Sequence, residues 1–175
     1  MQAIMGIFEA IGAFMEQGGF LIPWIAALTF VMWTLAFERY WYFKGALKGD
    51  VQRSLDAWGA RKERTSWNAS QIRTAYISRI NSKINQNMDL ITTIIAVCPL
   101  MGLLGTVTGM IEVFSILAST GGGDAKQMAG GVSKATIPTM AGMVAALSGI
   151  FVNTYLMRIA DRESRLFASH LTMDH

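Results

Sequence analysis

The stretch Ala96-Val97-Cys98-Pro99-Leu100-Met101-Gly102-Leu103-Leu104-Gly105-Thr106-Val107-Thr108-Gly109-Met110-Ile111-Glu112-Val113-Phe114 decides how the chain is read. With its flanks it is long and apolar enough to cross a bilayer, yet it carries a proline, three glycines, two threonines and a carboxylate. Hydrocarbon offers no hydrogen-bond partner, so polar groups at this depth must face protein or a water-lined cavity. Small residues let neighbouring helices approach closely, and Gly105 and Gly109 form a GxxxG pair. The segment predicts a helix that touches other helices and presents oxygen atoms between them.

The rest of the chain suits that helix. Of 175 residues, 52% are hydrophobic and only 15% charged, which excludes a disordered chain, and the length is too short for several soluble domains. Cys98, the single cysteine, cannot form an intramolecular disulfide and reads as a small hydrophobe in the helix core. Three segments reach the ~20 apolar residues a span requires: 19–38, 90–118 and 128–157. The first ends at Glu38-Arg39, with Trp24, Trp33, Tyr40, Trp41 and Tyr42 near its ends as interfacial anchors. No Lys or Arg precedes it, so it does not read as a cleaved signal peptide. Residues 119–127, with Ser119-Thr120-Gly121-Gly122-Gly123-Asp124, read as a turn that makes spans two and three an antiparallel hairpin.

Within residues 1–18, Ile4, Phe8, Ile11 and Met15 recur at helical spacing, with Glu9 and Glu16 elsewhere. This predicts an amphipathic helix on the membrane surface, not held there by anionic lipid. Basic residues are uneven: Arg39, Lys44, Lys48, Arg53, Arg61, Lys62, Arg64, Arg73, Arg79 and Lys83 precede span two, and Arg158, Arg162 and Arg165 follow span three. The turn between spans two and three has only Lys126. By the positive-inside rule, residues 39–89 and the tail 158–175 are cytoplasmic and the N-terminus is outside. Topology accounts for the basic segment, so no nucleic-acid partner is expected. Ile72, Tyr76, Ile80, Ile84, Met88 and Ile91 repeat every three or four positions into span two, which predicts one unbroken helix over 70–118. Ile159, Leu166 and Leu171 give span three a helical extension. The expected fold is an all-α membrane protein with three transmembrane helices and cytoplasmic helical extensions.

Helix arithmetic relates spans two and three. Thr106 is ~24 Å above Leu90 and Thr139 ~27 Å above Met157, which sets the two hydroxyls at one level near mid-bilayer. The same count sets Glu112 and Lys134 level with each other near the outer end. A carboxylate and an ammonium at matching depth are expected to pair structurally, within the chain or between subunits. Pro99, Gly102, Thr106 and Gly109 share one side of span two; Thr139, Gly142, Ala146, Gly149 and Asn153 share one side of span three. Both stripes suit a groove or pore wall. The threonines suit equally well bonds to their own backbone or to a neighbouring helix. His170 and His175 lie in the tail, and no nucleophilic triad, phosphate loop or metal-ligand spacing occurs, so neither enzyme chemistry nor a cofactor is expected.

The run Pro99-Leu-Met-Gly-Leu-Leu-Gly-Thr-Val-Thr-Gly-Met110 resembles the PxxGLxGTVxGx signature of the MotA/TolQ/ExbB proton-channel family. Gly131-Val-Ser-Lys-Ala-Thr-Ile-Pro-Thr-Met-Ala-Gly142 is similar to its partner motif in the last span, and Glu38-Arg39 is typical of the end of span one. Three spans resemble ExbB or TolQ more than the four-span MotA, and the chain is similar to short ExbB proteins, such as those of accessory TonB systems. The resemblance implies a homopentamer in the bacterial inner membrane around single-span ExbD-like helices. An aspartate of those helices would be protonated and released as protons move inward, energising a TonB-like transducer. It implies that Thr106 and Thr139 face that aspartate, on a proton path walled by Pro99, Gly102, Gly109, Gly142, Ala146 and Asn153. Where many relatives carry a glutamate, five residues before the threonine, this chain has Lys134, and Pro138 is a second departure. A TolQ-like motor for envelope maintenance and a non-conducting scaffold are the alternative functions.

Overall fold

The computed structural model describes residues 6, 9, 12, 15, 19–60, 66–120 and 125–171. Five helices follow one another: α1 (Leu21–Lys44), α2 (Ala46–Gly59), α3 (Trp67–Asn85), α4 (Met88–Thr120) and α5 (Ala125–His170). Among the described residues there is no strand. Three helical runs are long and apolar enough to cross a membrane, within Leu21–Lys44, Trp67–Ser119 and Met128–His170, matching the three expected spans. The expected surface helix falls mostly outside the described residues, as do residues 121–124 of the turn.

The chain forms two compact units, one of Met1–Trp33 with Thr93–Ile150, the other of Thr34–Thr92 with Phe151–His175. In the first, α4 and α5 pack backbone against backbone. A Cβ on Gly102 would stand 2.8 Å from the Thr139 Cα and 2.9 Å from the Pro138 carbonyl oxygen. One on Gly109 would stand 2.6 Å from the Ala135 Cβ, and one on Gly105 would overlap the Pro138 ring. Reciprocally, Gly142 lies against the Cys98 carbonyl and Gly131 against Val113. Cys98 is fully buried, as a small hydrophobe should be at so close a crossing. α1 covers one side of this pair: Met32 packs on Gly149 beside Ile95, and Leu21 reaches Gly105. Leu100, Leu103, Val107, Ile111 and Phe114 of α4 and Met140, Met143, Val144 and Leu147 of α5 point outward. Such a surface is unfavourable in water and natural against lipid or another apolar helix.

The second unit has a core of Leu47, Trp58, Ile80, Ile84, Met88, Ile91, Leu156, Ala160, Phe167 and Leu171. The isoleucine stripe read from the sequence is thus buried at Ile80, Ile84, Met88 and Ile91. Leu166 is instead exposed, and Phe167 takes the inward position beside Leu171. Ser66 caps α3 by accepting a hydrogen bond from the Ala69 N–H. Arg73 caps the far end of α5, donating to the carbonyls of Leu171 at 2.6 Å and Ala168 at 3.1 Å.

The helix expected to run unbroken over 70–118 is two helices. It breaks at Gln86-Asn87, where Gln86 is extended (ψ 134) and Asn87 takes φ 63. Asparagine tolerates this left-handed conformation better than most residues. The Asn87 carbonyl then accepts from the Ile91 N–H to start α4, and its side-chain amide donates to Glu38 at 3.2 Å. Periodicity carries through the break because the apolar face of α3 resumes in α4, so spacing alone hides it.

Candidate functional site

The threonines are placed by the glycine-packed pair. Thr139 donates its hydroxyl hydrogen to the Gly102 carbonyl of the facing helix at 2.8 Å. Thr106, one turn above Gly102, donates its own to the Leu103 carbonyl at 2.7 Å. Both side chains remain half-buried. Gly105 faces Leu21 of α1, and Thr106 lies ~100° further round α4. On α5, Ala141, Val144, Ala145 and Ser148 share a groove with Ile22, Ile25, Ala26 and Thr29 of α1. Thr139 lies ~200° from Ala141, so both threonines sit on the side that α1 leaves uncovered. A hydroxyl whose hydrogen is committed to a carbonyl presents its lone pairs, so these oxygens act toward an incoming group as acceptors.

The remaining small residues divide. Pro99 and Gly109 keep partial exposure. Gly102, Gly142 and Ala146 are buried within the chain, as is Gly149 under Met32. At these positions helix packing replaces the expected open wall, because absence of a side chain serves close backbone approach as well as it serves a groove. Asn153 is also buried, 7% exposed, and donates to the Thr92 hydroxyl at 3.1 Å and the Met157 sulfur at 3.8 Å. Its amide ties α5 to α4 within the second unit, and its oxygen has no partner among the described residues.

Glu112 and Lys134, expected from depth counting at one level, come to the same cavity. Both line a cavity of about 530 Å³ above the start of α1, with Phe20, Leu21, Val113 and Met128. Both are exposed, and among the described residues the ion pairs are Arg39–Glu38, Arg53–Asp50 and Lys83–Asp50, so the expected pair does not close within the chain.

A second polar cluster was visible in the sequence only as a charged pair ending span one. Arg39 is 3% exposed and grips both carboxylate oxygens of Glu38, at 2.6 and 3.2 Å. Its third nitrogen donates to the Lys83 carbonyl in the last turn of α3 at 3.1 Å, and its guanidinium lies 4.9 Å from the Tyr42 ring centre. Asp50 extends the cluster, accepting from Tyr42 at 3.1 Å and from Lys83 at 3.0 Å, and pairing with Arg53 at 2.7 Å. The hydrogen bond from Lys83, then that from Tyr42 and the charges of Lys83 and Arg53, hold the Asp50 carboxyl below its ordinary range against the opposing effect of partial burial. The arrangement is a clamp: one buried fork joins the end of α1 to the end of α3, beside the Asn87 break.

Residues 43–169 match the MotA/TolQ/ExbB proton channel family. The chain belongs to the MotA/TolQ/ExbB family. Within the family, it is 40% identical over 91 residues to an ExbB-like biopolymer transport protein of Synechocystis sp., covering 50% of this chain and 36% of that one. It is 32% identical over 91 residues to the biopolymer transport protein ExbB of Helicobacter pylori, covering 52% and 63%. It is 37% identical over 81 residues to the biopolymer transport protein exbB1 of Vibrio cholerae, covering 46% and 36%. The matches therefore span between about a third and less than two thirds of these MotA/TolQ/ExbB relatives' lengths.

Proposed function

We propose that this chain is the inner-membrane, pore-walling subunit of a proton-driven motor of the ExbB–ExbD–TonB type. It assembles as a homopentamer, N-terminus outside, around single-span ExbD-like helices, and drives a TonB-like transducer that energises outer-membrane uptake of iron chelates or similar ligands. The observation that carries this reading is the pair of half-buried hydroxyls, Thr106 and Thr139, on the side of the α4–α5 pair away from α1.

The chemistry follows from the hydrogen bonds. Both hydroxyls have given their hydrogens to carbonyls, so each can accept the O–H of a protonated carboxylic acid. Accepting from the neutral acid favours protonation and raises the acid's pKa, the direction needed for a carboxyl that must load a proton inside a membrane. No covalent step is involved. Lys134, where the family resemblance implies a glutamate in many members, removes a second titrating acid from the proposed path.

Affinity purification of the tagged chain from its own cells tests the reading. A single-span protein with an aspartate in its span is expected to co-purify, and the complex in liposomes to pass protons under a pH gradient. Absence of such a partner, with no proton flux from the purified assembly, would overturn the motor reading. A Tol-type client in place of a TonB-like one would overturn the transport assignment alone.

A further inference from the structure

The cavity over the start of α1 is built unlike the rest of the membrane-facing surface. Phe20, Leu21, Val113, Met128 and Pro138 give it an apolar wall, while Glu112 from α4 and Lys134 from α5 place one charge of each sign on its lining. Both charges are exposed, and they do not pair with each other among the described residues. The volume, about 530 Å³, is of the size that holds a small-molecule headgroup.

Depth locates it. Glu112 stands eight residues before Thr120, the last of α4, and Lys134 nine after Ala125, the first of α5. At ~1.5 Å per residue both are ~12–14 Å from the hairpin end, where hydrocarbon gives way to headgroups if the hairpin end projects from the bilayer. A lone charge at that depth is unfavourable unless a counter-charge meets it. One ligand that satisfies both at once carries an anion and a cation a few ångströms apart, on an apolar body.

We infer that this cavity binds the headgroup of phosphatidylethanolamine, its phosphate on Lys134, its ammonium on Glu112 and the start of an acyl chain along the apolar wall. A zwitterion is selected over an anionic lipid because Glu112 repels a headgroup that brings only negative charge.

The test is native mass spectrometry of the purified assembly, delipidated and then offered phosphatidylethanolamine and phosphatidylglycerol in equal amounts. The wild type is expected to retain phosphatidylethanolamine over phosphatidylglycerol by about tenfold or more, the scale of one charge-assisted hydrogen bond. Glu112→Gln should level the two lipids, and Lys134→Gln should release both. Met128→Trp, which fills the cavity without changing charge, should release both as well and stands in if a charge variant fails to assemble. Equal retention by the wild type, or a preference that survives Glu112→Gln or Met128→Trp, overturns the proposal. So does a disulfide joining two copies through Glu112→Cys and Lys134→Cys without lipid preference, which would put a second copy in the cavity.

Discussion

The Thr139 hydroxyl reaches across the hairpin to the Gly102 carbonyl, 2.8 Å away, at the point where a Cβ on Gly102 would stand 2.8 Å from the Thr139 Cα. One residue pair thus sets both the helix spacing and the orientation of a membrane hydroxyl. Gly102→Ala is expected to force the helices apart and lower stability by about 1–3 kcal/mol, the usual cost of overpacking. Thermal unfolding in detergent should show it, whereas Gly130→Ala, with nothing within 4 Å of the added methyl, should change the melting temperature far less.

Removing the acceptor should separate chemistry from assembly. Thr139→Val keeps the shape of the side chain and removes the hydroxyl; Thr106→Val does the same one turn above Gly102. Under the proposed motor function, each is expected to leave the complex intact and to reduce proton-driven uptake by about tenfold, the effect of one strong hydrogen bond. Because the proposed bond to the partner's acid favours its neutral form, losing it should move the pH profile of transport to lower pH. Full uptake by an assembled Thr139→Val complex would remove the hydroxyl from the mechanism.

Arg39 predicts a large effect from a residue outside the threonine site. Its buried guanidinium meets Glu38 and the Lys83 carbonyl together. Arg39→Met should destabilise the fold by about 1–3 kcal/mol, because it leaves the Lys83 carbonyl without its donor while Glu38 stays half-exposed. Arg39→Lys should recover little, since an ammonium cannot span the same partners. Chemical denaturation of the purified protein measures both.

Asp50 predicts a pH dependence. Its carboxyl is held below the ordinary range by the hydrogen bond from Lys83 first, with Tyr42 and Arg53 adding to it. A depressed folded-state pKa contributes stability that is complete above the unfolded value, near 4 for aspartate, and is lost as pH falls through the folded value. Stability should therefore decline on acidification below about pH 4, and Asp50→Asn should flatten that part of the profile. Unfolding followed between pH 7 and pH 3 would show whether the variant and wild-type curves converge at the acid end.

Much of this architecture was legible from spacing. Three spans follow from length and hydropathy; counting along helices set Thr106 level with Thr139, whereas Thr139 lies opposite Gly102, one turn below Thr106. What spacing could not resolve is which way a small residue looks. Gly102, Gly142 and Ala146 have the composition of a pore wall and of a tight crossing alike; the two glycines serve the crossing, and Ala146 is buried within the chain. Nor could it see the Asn87 break, since the apolar rhythm continues on both sides, or the burial of Arg39, whose fork reaches the Lys83 carbonyl 44 residues away.

The glycine contacts also have a mechanical consequence. With Gly102, Gly105 and Gly109 seated on Thr139, Pro138 and Ala135, sliding one helix along the other would drive side chains into spaces that admit only hydrogen. α4 and α5 consequently behave as a single keyed strut over this stretch. In the proposed motor, a partner helix that turned against the threonine face would therefore meet a fixed surface, with the strut as its stationary bearing.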